Sequence, residues 1–220
     1  RLAETLGRVK GEAMLTVFLN GMSGNINHVN AYIPSRLRAE AEAARIGTIL
    51  AAAVLKTYPN LRPVDATRLR AVSRAVRVPV LPAPTPERLA EARATLRRHG
   101  QGATFPEVIR AWRDIDLAQY GADGHWNSEV QAIVFGRDLA LVGYPGDSFV
   151  ELGLTMKQNS PFALTFVSEQ SGNGALSYIP NEKAFPEGSY EVDSARVAPG
   201  GGEVLANAAI RLLVELFPRP

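Results

Sequence analysis

Short, almost entirely apolar runs alternate along this chain with segments that carry apolar residues at helical spacing. The clearest apolar runs are residues 13–19, 139–142 and 162–167. Their length and β-branched content favour strands. The clearest helical segments are residues 38–58, 86–100 and 203–217. Strands that are apolar throughout need cover on both faces, which helices usually supply. The alternation therefore predicts an α/β fold in which layered sheets are covered by helices.

Local signals predict several element boundaries. Thr85 is a good N-cap and precedes a proline, so a helix is predicted to begin there, and Thr104 begins another by the same logic. Residues 129–135 and 139–142 are predicted to form a hairpin, because a glycine-containing turn joins them. After Tyr190 we expect a short extended piece through Val197.

The composition is that of an ordinary globular protein. The chain has 220 residues, of which 46% are hydrophobic and 21% charged, so one large domain or two small ones are expected. No run of eighteen apolar residues occurs, which predicts no transmembrane helix. The absence of cysteine excludes disulfides and cysteine-ligated metals. The chain begins at Arg1 without a signal-peptide pattern, and we expect an extracellular or periplasmic location with any export signal upstream.

The charge is uneven along the chain. Residues 1–100 carry sixteen basic and seven acidic side chains, a net +9, whereas residues 101–220 carry eight and fifteen, a net −7. A basic half invites comparison with nucleic-acid binders, but its arginines have no interleaved aromatic residues and no recognition motif. We therefore expect no nucleic-acid partner, and interpret the basic residues as a solvated face or as contacts to the acidic half.

One candidate site lies in the stretch 143–191. Asp147 follows a predicted strand in Pro-Gly-Asp, which places its carboxylate at the carboxyl end of a sheet, the usual place for a site in an α/β protein. Tyr178 and Tyr190 are twelve residues apart and can return to the same rim from the next loops. Each has a simpler interpretation. Asp147 is also suited to an N-cap, Tyr178 to a sheet edge, and Tyr190 to an ordinary strand.

A second polar cluster follows the first predicted strand. Residues 20–30 contain two glycines and four asparagines, which permit left-handed backbone and supply amide groups. His28 is suited to a general base or an added metal ligand, and alternatively to a structural role in this loop. Asn25 and Asn27 are suited to oxyanion donors, and alternatively to ordinary turn chemistry.

These motifs, in this order, resemble the neutral/alkaline ceramidase family, and in particular its bacterial ceramidase-like hydrolases. The similar stretches are Gly-X-X-Gly-Asn-Ile-Asn-His at 21–28, Pro-Gly-Asp-Ser-Phe-Val-Glu-Leu-Gly at 145–153, Ser-Tyr-Ile-Pro at 177–180 and Ser-Tyr-Glu at 189–191. The resemblance extends from about Met14 to the end. It implies that residues 1–220 are the C-terminal half of a ceramidase-like catalytic domain.

The resemblance also implies a zinc cofactor and roles for individual residues. In the family, zinc is held by two histidines, a glutamate and a tyrosine. Asp147 stands at the glutamate position and Tyr178 at the tyrosine position, so both are expected to be metal ligands. Tyr190 stands where a tyrosine contacts the substrate carbonyl. The two histidines belong to the upstream half of the family, which is therefore expected to supply the remaining ligands.

The sequence departs from the family pattern at one catalytic position. The loop of residues 24–28 matches the family's Gly-Asp-X-Ser-Pro, so Asn27 replaces the serine implicated in amide cleavage. An asparagine is not a serine-type nucleophile. Two functions therefore stay open. The first is a zinc-dependent hydrolase that cleaves an amide or related bond in a small or lipid-like substrate, with His28, Asn27 and Tyr190 as catalytic candidates. The second is a non-catalytic binding module that keeps the fold without the metal.

Overall fold

The computed structural model describes residues 1–11, 14–29, 40–65, 67–171 and 176–218. It divides into two compact units, the first formed by Arg1–Leu19 and Asn27–Val64 and the second by Asn20–Ile26 and Asp65–Pro220. Three predicted segments extend outside the described residues: the strand at residue 13, the helix at residues 38 and 39, and the second polar cluster at residue 30.

The first unit is helical. It contains α1 (Leu2–Lys10), α2 (Glu40–Thr57) and a short 3₁₀ turn (Tyr58–Asn60). The helix predicted at 38–58 is confirmed over its described part. A Cβ added at Gly47 in α2 would lie 2.7 Å from the Cβ of Arg1, so glycine permits the close approach of these two segments.

The strand predicted at residues 13–19 is wrong for the described part of that run. Residues 14–19 form no helix or strand, and Leu15, Val17 and Phe18 expose 85%, 72% and 65% of their surface. A strand needs the backbone of a neighbour to satisfy its amide and carbonyl groups. An apolar run in the sequence says nothing about whether that neighbour exists.

The second unit contains the remaining elements. Its strands are β1 (Leu69–Pro79), β2 (His125–Phe135), β3 (Leu139–Gly143), β4 (Asp147–Ser148), β5 (Leu164–Ser168) and β6 (Tyr178–Ile179). Its helices are α3 (Pro86–Arg97), α4 (Phe105–Tyr120), α5 (Val150–Gln158), α6 (Tyr190–Ser194) and α7 (Gly201–Leu216).

The main sheet of this unit is mixed. Its strand order is β1-β2-β3-β5. Strand β2 pairs antiparallel with β1 and with β3, so the predicted hairpin is confirmed. Strands β3 and β5 are parallel, and the chain passes between them through α5, as a parallel pair requires. A second, two-stranded sheet joins β4 and β6, also in parallel.

The core lies between the main sheet and α7. This helix packs against β1, β2 and α5, and it buries Leu205, Leu212 and Leu213 completely or almost completely. The facing strand residues, among them Val78 and Val130, are fully buried as well. The predicted α/β class, with helices covering a sheet, is confirmed.

Local capping explains where α3 and α4 begin. The side chain of Thr85 accepts a hydrogen bond from the Arg88 amide at 3.3 Å. At α4, Glu107 accepts from both the amide and the hydroxyl of Thr104 at 2.7 Å, a reciprocal capping box. Both predicted helix starts are confirmed.

The extended piece predicted after Tyr190 is partly wrong, because residues Tyr190–Ser194 form the helix α6. Contacts from α4 hold this short helix in place. Arg110 pairs with Asp193 at 3.0 Å, and Arg113 donates to the Asp193 carbonyl at 2.9 Å. The chain is extended only beyond it, where Val197 bridges to Val80.

None of the helices in the described part of the chain combines the length and the hydropathy that crossing a bilayer requires.

Candidate active site

The candidate site is built at the carboxyl ends of the parallel strands β3 and β5. After β3 the chain runs through Tyr144–Gly146 into Asp147, and after β5 it continues as Glu169 and Gln170. The Tyr144 amide donates to the Ser168 carbonyl at 2.9 Å, and the Gln170 amide donates to the Gly146 carbonyl at 3.2 Å. The two strand exits are therefore held side by side, which is where an α/β sheet usually carries a site.

Asp147 and Tyr178 are direct partners in the small sheet. Their Cα atoms pair in the parallel β4–β6 register. The Asp147 amide donates to the Ser177 carbonyl at 2.9 Å, and the Phe149 amide donates to the Ile179 carbonyl at 3.1 Å. Residues that are thirty-one positions apart in the sequence are thus fixed beside each other by backbone bonds.

Tyr190 completes this cluster. Its ring centroid lies 5.5 Å from that of Tyr178, with the planes at 76°, an edge-to-face contact. The Tyr190 ring also stacks on Phe105 at the start of α4, with centroids 5.8 Å apart and planes at 25°. The prediction that both tyrosines return to the rim that carries Asp147 is confirmed; their chemical roles stay predictions.

The surroundings of Tyr178 favour its neutral form. Burial raises the pKa of the phenol, and Tyr190, Asp147, Glu191 and Glu169 raise it further because negative charge nearby opposes ionisation. The free side chain is therefore a hydrogen-bond donor at neutral pH. To act as a phenolate ligand it would need a strong positive charge close by.

Asp147 does not cap the following helix. Helix α5 begins at Val150 with Phe149 as its N-cap, so the capping interpretation of Asp147 is wrong. Because Asp147 and Ser148 pair with β6 as strand β4, helix α5 begins only after them, at Val150. The Asp147 carboxylate instead accepts a hydrogen bond from the side-chain amide of Gln170.

Three non-glycine residues beside the site have left-handed backbone. Their φ angles are 55° at Gln170, 57° at Ser177 and 84° at Ser189. Gln170 contacts Asp147, and the two serines directly precede Tyr178 and Tyr190. Such conformations cost about 1–3 kcal/mol each and persist where the surrounding structure fixes them. Their coincidence with the three site residues indicates a backbone shaped to orient these side chains.

Residues 20–26, which belong to the second polar cluster, form hydrogen bonds with the segment that follows Asp147. The Gly24 amide donates to the Ser148 carbonyl at 2.8 Å, and a Cβ at Gly24 would lie only 2.4 Å from the Asp147 carbonyl oxygen. The Asn25 side chain accepts from the Val150 amide at 2.9 Å and donates to Glu151 at 2.9 Å. The amide group of Asn25 therefore caps α5, which accounts for it without an oxyanion role.

Asn27 and His28 belong to the first unit, whereas Asp147, Tyr178 and Tyr190 belong to the second. The Asn27 side-chain oxygen accepts from the Val29 amide at 3.0 Å, an ordinary asparagine turn. His28 is exposed. The hydrogen bond from Arg45 chiefly lowers the pKa of Glu42, and His28 adds to that lowering.

The sequence interpretation missed Glu169. This carboxylate is 96% buried, with 4% of its surface exposed, and it accepts hydrogen bonds from the Asn20 side chain, the Ser23 amide and hydroxyl, and the Ser148 amide. A usable signal existed, because Glu169 follows the apolar run of β5 just as Asp147 follows that of β3.

Asp147 and Tyr178 fit part of a metal site. A carboxylate and a phenol both present oxygen atoms, and zinc accepts oxygen, nitrogen and sulfur ligands, four in most sites. Over the described residues, His, Cys, Asp and Glu form no group of three that could hold a metal ion. The described residues thus present two suitable oxygen donors, Asp147 and Tyr178, and a complete ligand set needs further donors.

Two cavities lie along α3 and α4, with volumes of about 450 and 360 Å³. Both are lined by Arg88 and Asp114, which form an ion pair at 2.7 Å. Their linings share no residue with the candidate site. The similar numbers of basic and acidic side chains in the larger cavity favour neither anions nor cations.

Arginines of the basic half pair with carboxylates of the acidic half. Besides Arg88 with Asp114, Arg74 lies 2.5 Å from Glu215 and Arg77 lies 3.0 Å from Asp123. These contacts agree with the interpretation of the basic residues as partners of the acidic half.

Solved structures that resemble this chain include two ceramidases. The neutral ceramidase from Pseudomonas aeruginosa matches with a TM-score of 0.61 and 13% identity, over 99% of this chain and 41% of that one. A structure described as ceramidase complexed with C2 matches with a TM-score of 0.51 and 14% identity, over 81% and 35% respectively. The chain therefore spans about two fifths of the length of the first of these structures.

At this level of identity the likeness shows the fold, and the ceramidase resemblance of the sequence is confirmed at that level. No protein-family model matches the sequence, and no curated protein matches it.

Proposed function

We propose that this chain is part of a zinc-dependent hydrolase of the ceramidase type, which cleaves the amide bond of an N-acylated, lipid-like substrate. The observation that carries the proposal is the meeting of Asp147, Tyr178 and Tyr190 at one rim of a ceramidase fold. A fold alone does not define a function. The cluster adds a carboxylate and two phenols held by backbone pairing and left-handed turns.

In this proposal Asp147 and Tyr178 each contribute one oxygen ligand. A zinc ion held there would supply Lewis-acid chemistry, suited to polarising a carbonyl and activating water. The remaining ligands come from a part of the protein beyond the described residues. Gln170 bonds to the Asp147 carboxylate and thereby fixes its orientation, as the outer partners of a metal ligand usually do.

Tyr190 is the group that contacts the substrate. Tyr190 is 40% exposed, and its ring contacts the rings of both Tyr178 and Phe105. A phenol can donate a hydrogen bond to a carbonyl oxygen as negative charge develops on it. Phe105, itself 62% exposed, extends the apolar surface beside Tyr190 and suits contact with an acyl chain.

The first experiment is elemental analysis of the full-length protein. We expect about one zinc per chain, which Asp147→Ala removes and Tyr178→Phe weakens, because each variant deletes an oxygen ligand. Asp123→Ala and Tyr120→Phe are matched controls on the exposed surface and should keep the metal. The hydrolysis of N-acyl substrates is then followed in the same set, where Tyr190→Phe is expected to reduce kcat about a hundredfold while zinc stays bound. An intact protein without zinc would refute the proposal.

One observation favours a second candidate, a binding module without catalysis. Asn27 has no nucleophilic hydroxyl, and its side-chain oxygen is engaged by the Val29 amide. This candidate predicts that the full-length protein binds N-acyl lipids but neither holds zinc nor turns them over. The zinc measurement separates the two functions.

A further inference from the structure

Glu169 is a buried carboxylate that joins three separate segments. One of its oxygens accepts from the Asn20 side chain at 2.8 Å and from the Ser23 hydroxyl at 2.6 Å. The other accepts from the Ser23 amide at 3.0 Å and from the Ser148 amide at 3.1 Å. The donors come from the loop at 20–23, and from β4 immediately after Asp147.

These bonds hold the backbone on both sides of Asp147. On the side of Ser148, the amide is bound by Glu169 and the carbonyl accepts from Gly24. On the side of Gly146, the carbonyl accepts from the amide of Gln170, the residue next to Glu169. The Gln170 side chain then reaches the Asp147 carboxylate itself. Glu169 and Gln170 together thus constrain the position and the orientation of Asp147.

The bonding of Glu169 defines its role. An ionised carboxylate accepts hydrogen bonds and donates none, and bonds to a charged acceptor are about twice as strong as neutral ones. Here each oxygen already accepts from two donors, and the side chain is 4% exposed. Both oxygens are therefore engaged by protein donors within an almost wholly buried residue. Glu169 acts on the residues around it.

The geometry points to Glu169 as a positioning residue that holds Asp147 and the 20–24 loop in the arrangement the candidate metal site requires. The inference rests on the proposed function for the role of Asp147. The other part of the inference, that the Glu169 carboxylate couples the 20–24 loop to β4, does not depend on a metal.

The test compares Glu169→Gln with the parent in the full-length protein. The glutamine keeps the size of the side chain but replaces one acceptor oxygen with a donor nitrogen. Hydrogen–deuterium exchange is measured on peptides that cover residues 20–26 and 145–149. We expect exchange in both to become about tenfold faster, since a bond to a charged group is lost. Glu215→Gln, which removes a carboxylate from an exposed ion pair with Arg74, is the matched control and should leave both peptides unchanged.

A second readout is zinc affinity, measured by competition with a chromophoric chelator. Outer partners of metal ligands typically contribute 10–100-fold in affinity, so we expect Glu169→Gln to bind zinc about tenfold more weakly. If the parent itself binds no zinc, the proposed function fails, and the exchange data alone decide the positioning role.

If Glu169→Gln leaves exchange unchanged in either peptide, the inference is overturned. Equal acceleration of exchange over the whole chain would also overturn it, because that result reports global unfolding. Should Glu169→Gln fail to fold, the double variant Asn20→Ala, Ser23→Ala removes donors on the loop side and keeps the carboxylate. We expect it to accelerate exchange at 20–26 and also at 145–149, because Glu169 then keeps only its bonds from the Ser23 and Ser148 amides. Acceleration confined to residues 20–26 would contradict a coupling between the two segments.

Discussion

At the scale of single residues, Tyr144 shows how a polar group is accommodated in the core. Its side chain is fully buried, and its hydroxyl donates to the Gly202 carbonyl at the start of α7 at 2.8 Å. Burial, and to a smaller extent the charge of Glu203, raise the pKa of this phenol well above its ordinary value. The native protein therefore holds the Tyr144 proton at pH values where the unfolded chain releases it.

This shift predicts a defined stability profile. Because the native state binds more protons than the unfolded state above about pH 10, the free energy of unfolding falls as the pH rises beyond that value. We expect Tyr144→Phe to lower the free energy of unfolding by about 1 kcal/mol at pH 7, because the hydrogen bond is lost. We also expect the free energy of unfolding of this variant to fall less than that of the parent as the pH rises above about 10. Urea unfolding at pH 7 and pH 10.5 measures both. Tyr120→Phe, at an exposed position, is the control, and parallel alkaline declines in parent and Tyr144→Phe would contradict the account.

Gly146 is required by its backbone and by its surroundings. Its φ is 63°, and a Cβ there would lie 2.5 Å from the Ser177 carbonyl oxygen. Gly188 has a similar φ of 73°, but nothing lies within 4 Å of its Cβ position. We expect Gly188→Ala to cost about 1 kcal/mol and Gly146→Ala at least twice that, since only the latter also forces β4 and β6 apart. Urea midpoints compare the two, and equal losses would show that the close approach adds nothing.

The site residues differ in how far the sequence predicts them. The sequence predicts that Asp147, Tyr178 and Tyr190 meet, because it puts each at a predicted strand end or loop that an α/β fold brings to one rim, although Tyr190 begins α6 in the structure. Glu169 has the same kind of signal but lacks a motif, and its four donors come from residues 21 to 149 positions away. Sequence spacing cannot identify such partners. Whether Asn27 and His28 act in catalysis stays a prediction.

At the scale of the elements, α5 depends on a distant residue for its cap. Its N-cap, Phe149, has no side-chain hydrogen bond, and Asn25 from the 20–26 loop accepts from the Val150 amide instead. We expect Asn25→Ala to lower the free energy of unfolding by about 1 kcal/mol, the usual value of a helix cap. Asn127→Ala, at an exposed position in β2, should change it by less than about 0.5 kcal/mol. Urea denaturation separates the two variants, and equal effects would rule out the capping role.

The elements that the sequence predicts well are those with local signals. Helices α3 and α4 begin where Thr85 and Thr104 supply caps from within the same few residues. The five-residue helix α6 was missed, since its ion pair and hydrogen bond come from Arg110 and Arg113 in α4. Residues 14–19 were misassigned for a related reason, because strand pairing is a property of two segments and composition describes only one.

At the scale of the second unit, the two faces of the main sheet differ. One face packs on α5 and α7, whereas the other exposes apolar side chains such as Leu69, Leu164 and Phe166. The strand register aligns these outer residues into two adjacent rows. The rows are Leu69, Phe135, Leu139 and Leu164, and Ala71, Ile133, Leu141 and Phe166. We call them the outer apolar rows. The next row, with Ser73, Gln131 and Ser168, is polar, so the apolar surface is a bounded patch.

Contiguous apolar patches of this kind bind hydrophobic dyes and promote association in proteins that expose them. We expect the 220-residue chain to enhance the fluorescence of an anilinonaphthalene dye, and the double variant Leu164→Thr, Phe166→Thr to reduce that signal about twofold, because both residues lie at one end of the outer apolar rows. Threonine suits a strand, so β5 should persist, which circular dichroism verifies.

Val214→Thr is the matched control, since Val214 is 57% exposed on α7, away from the outer apolar rows. It should leave the dye signal unchanged. If the two replacements in β5 leave the signal as it was while the fold is intact, the dye binds elsewhere. The exposed run at residues 14–19 is then the next surface to alter, with Val17→Thr and Phe18→Thr. If the two replacements in β5 instead reduce the dye fluorescence, the main apolar surface of the second unit is the exposed face of its sheet. The strand register supports this outcome, because it places eight apolar residues side by side on that face.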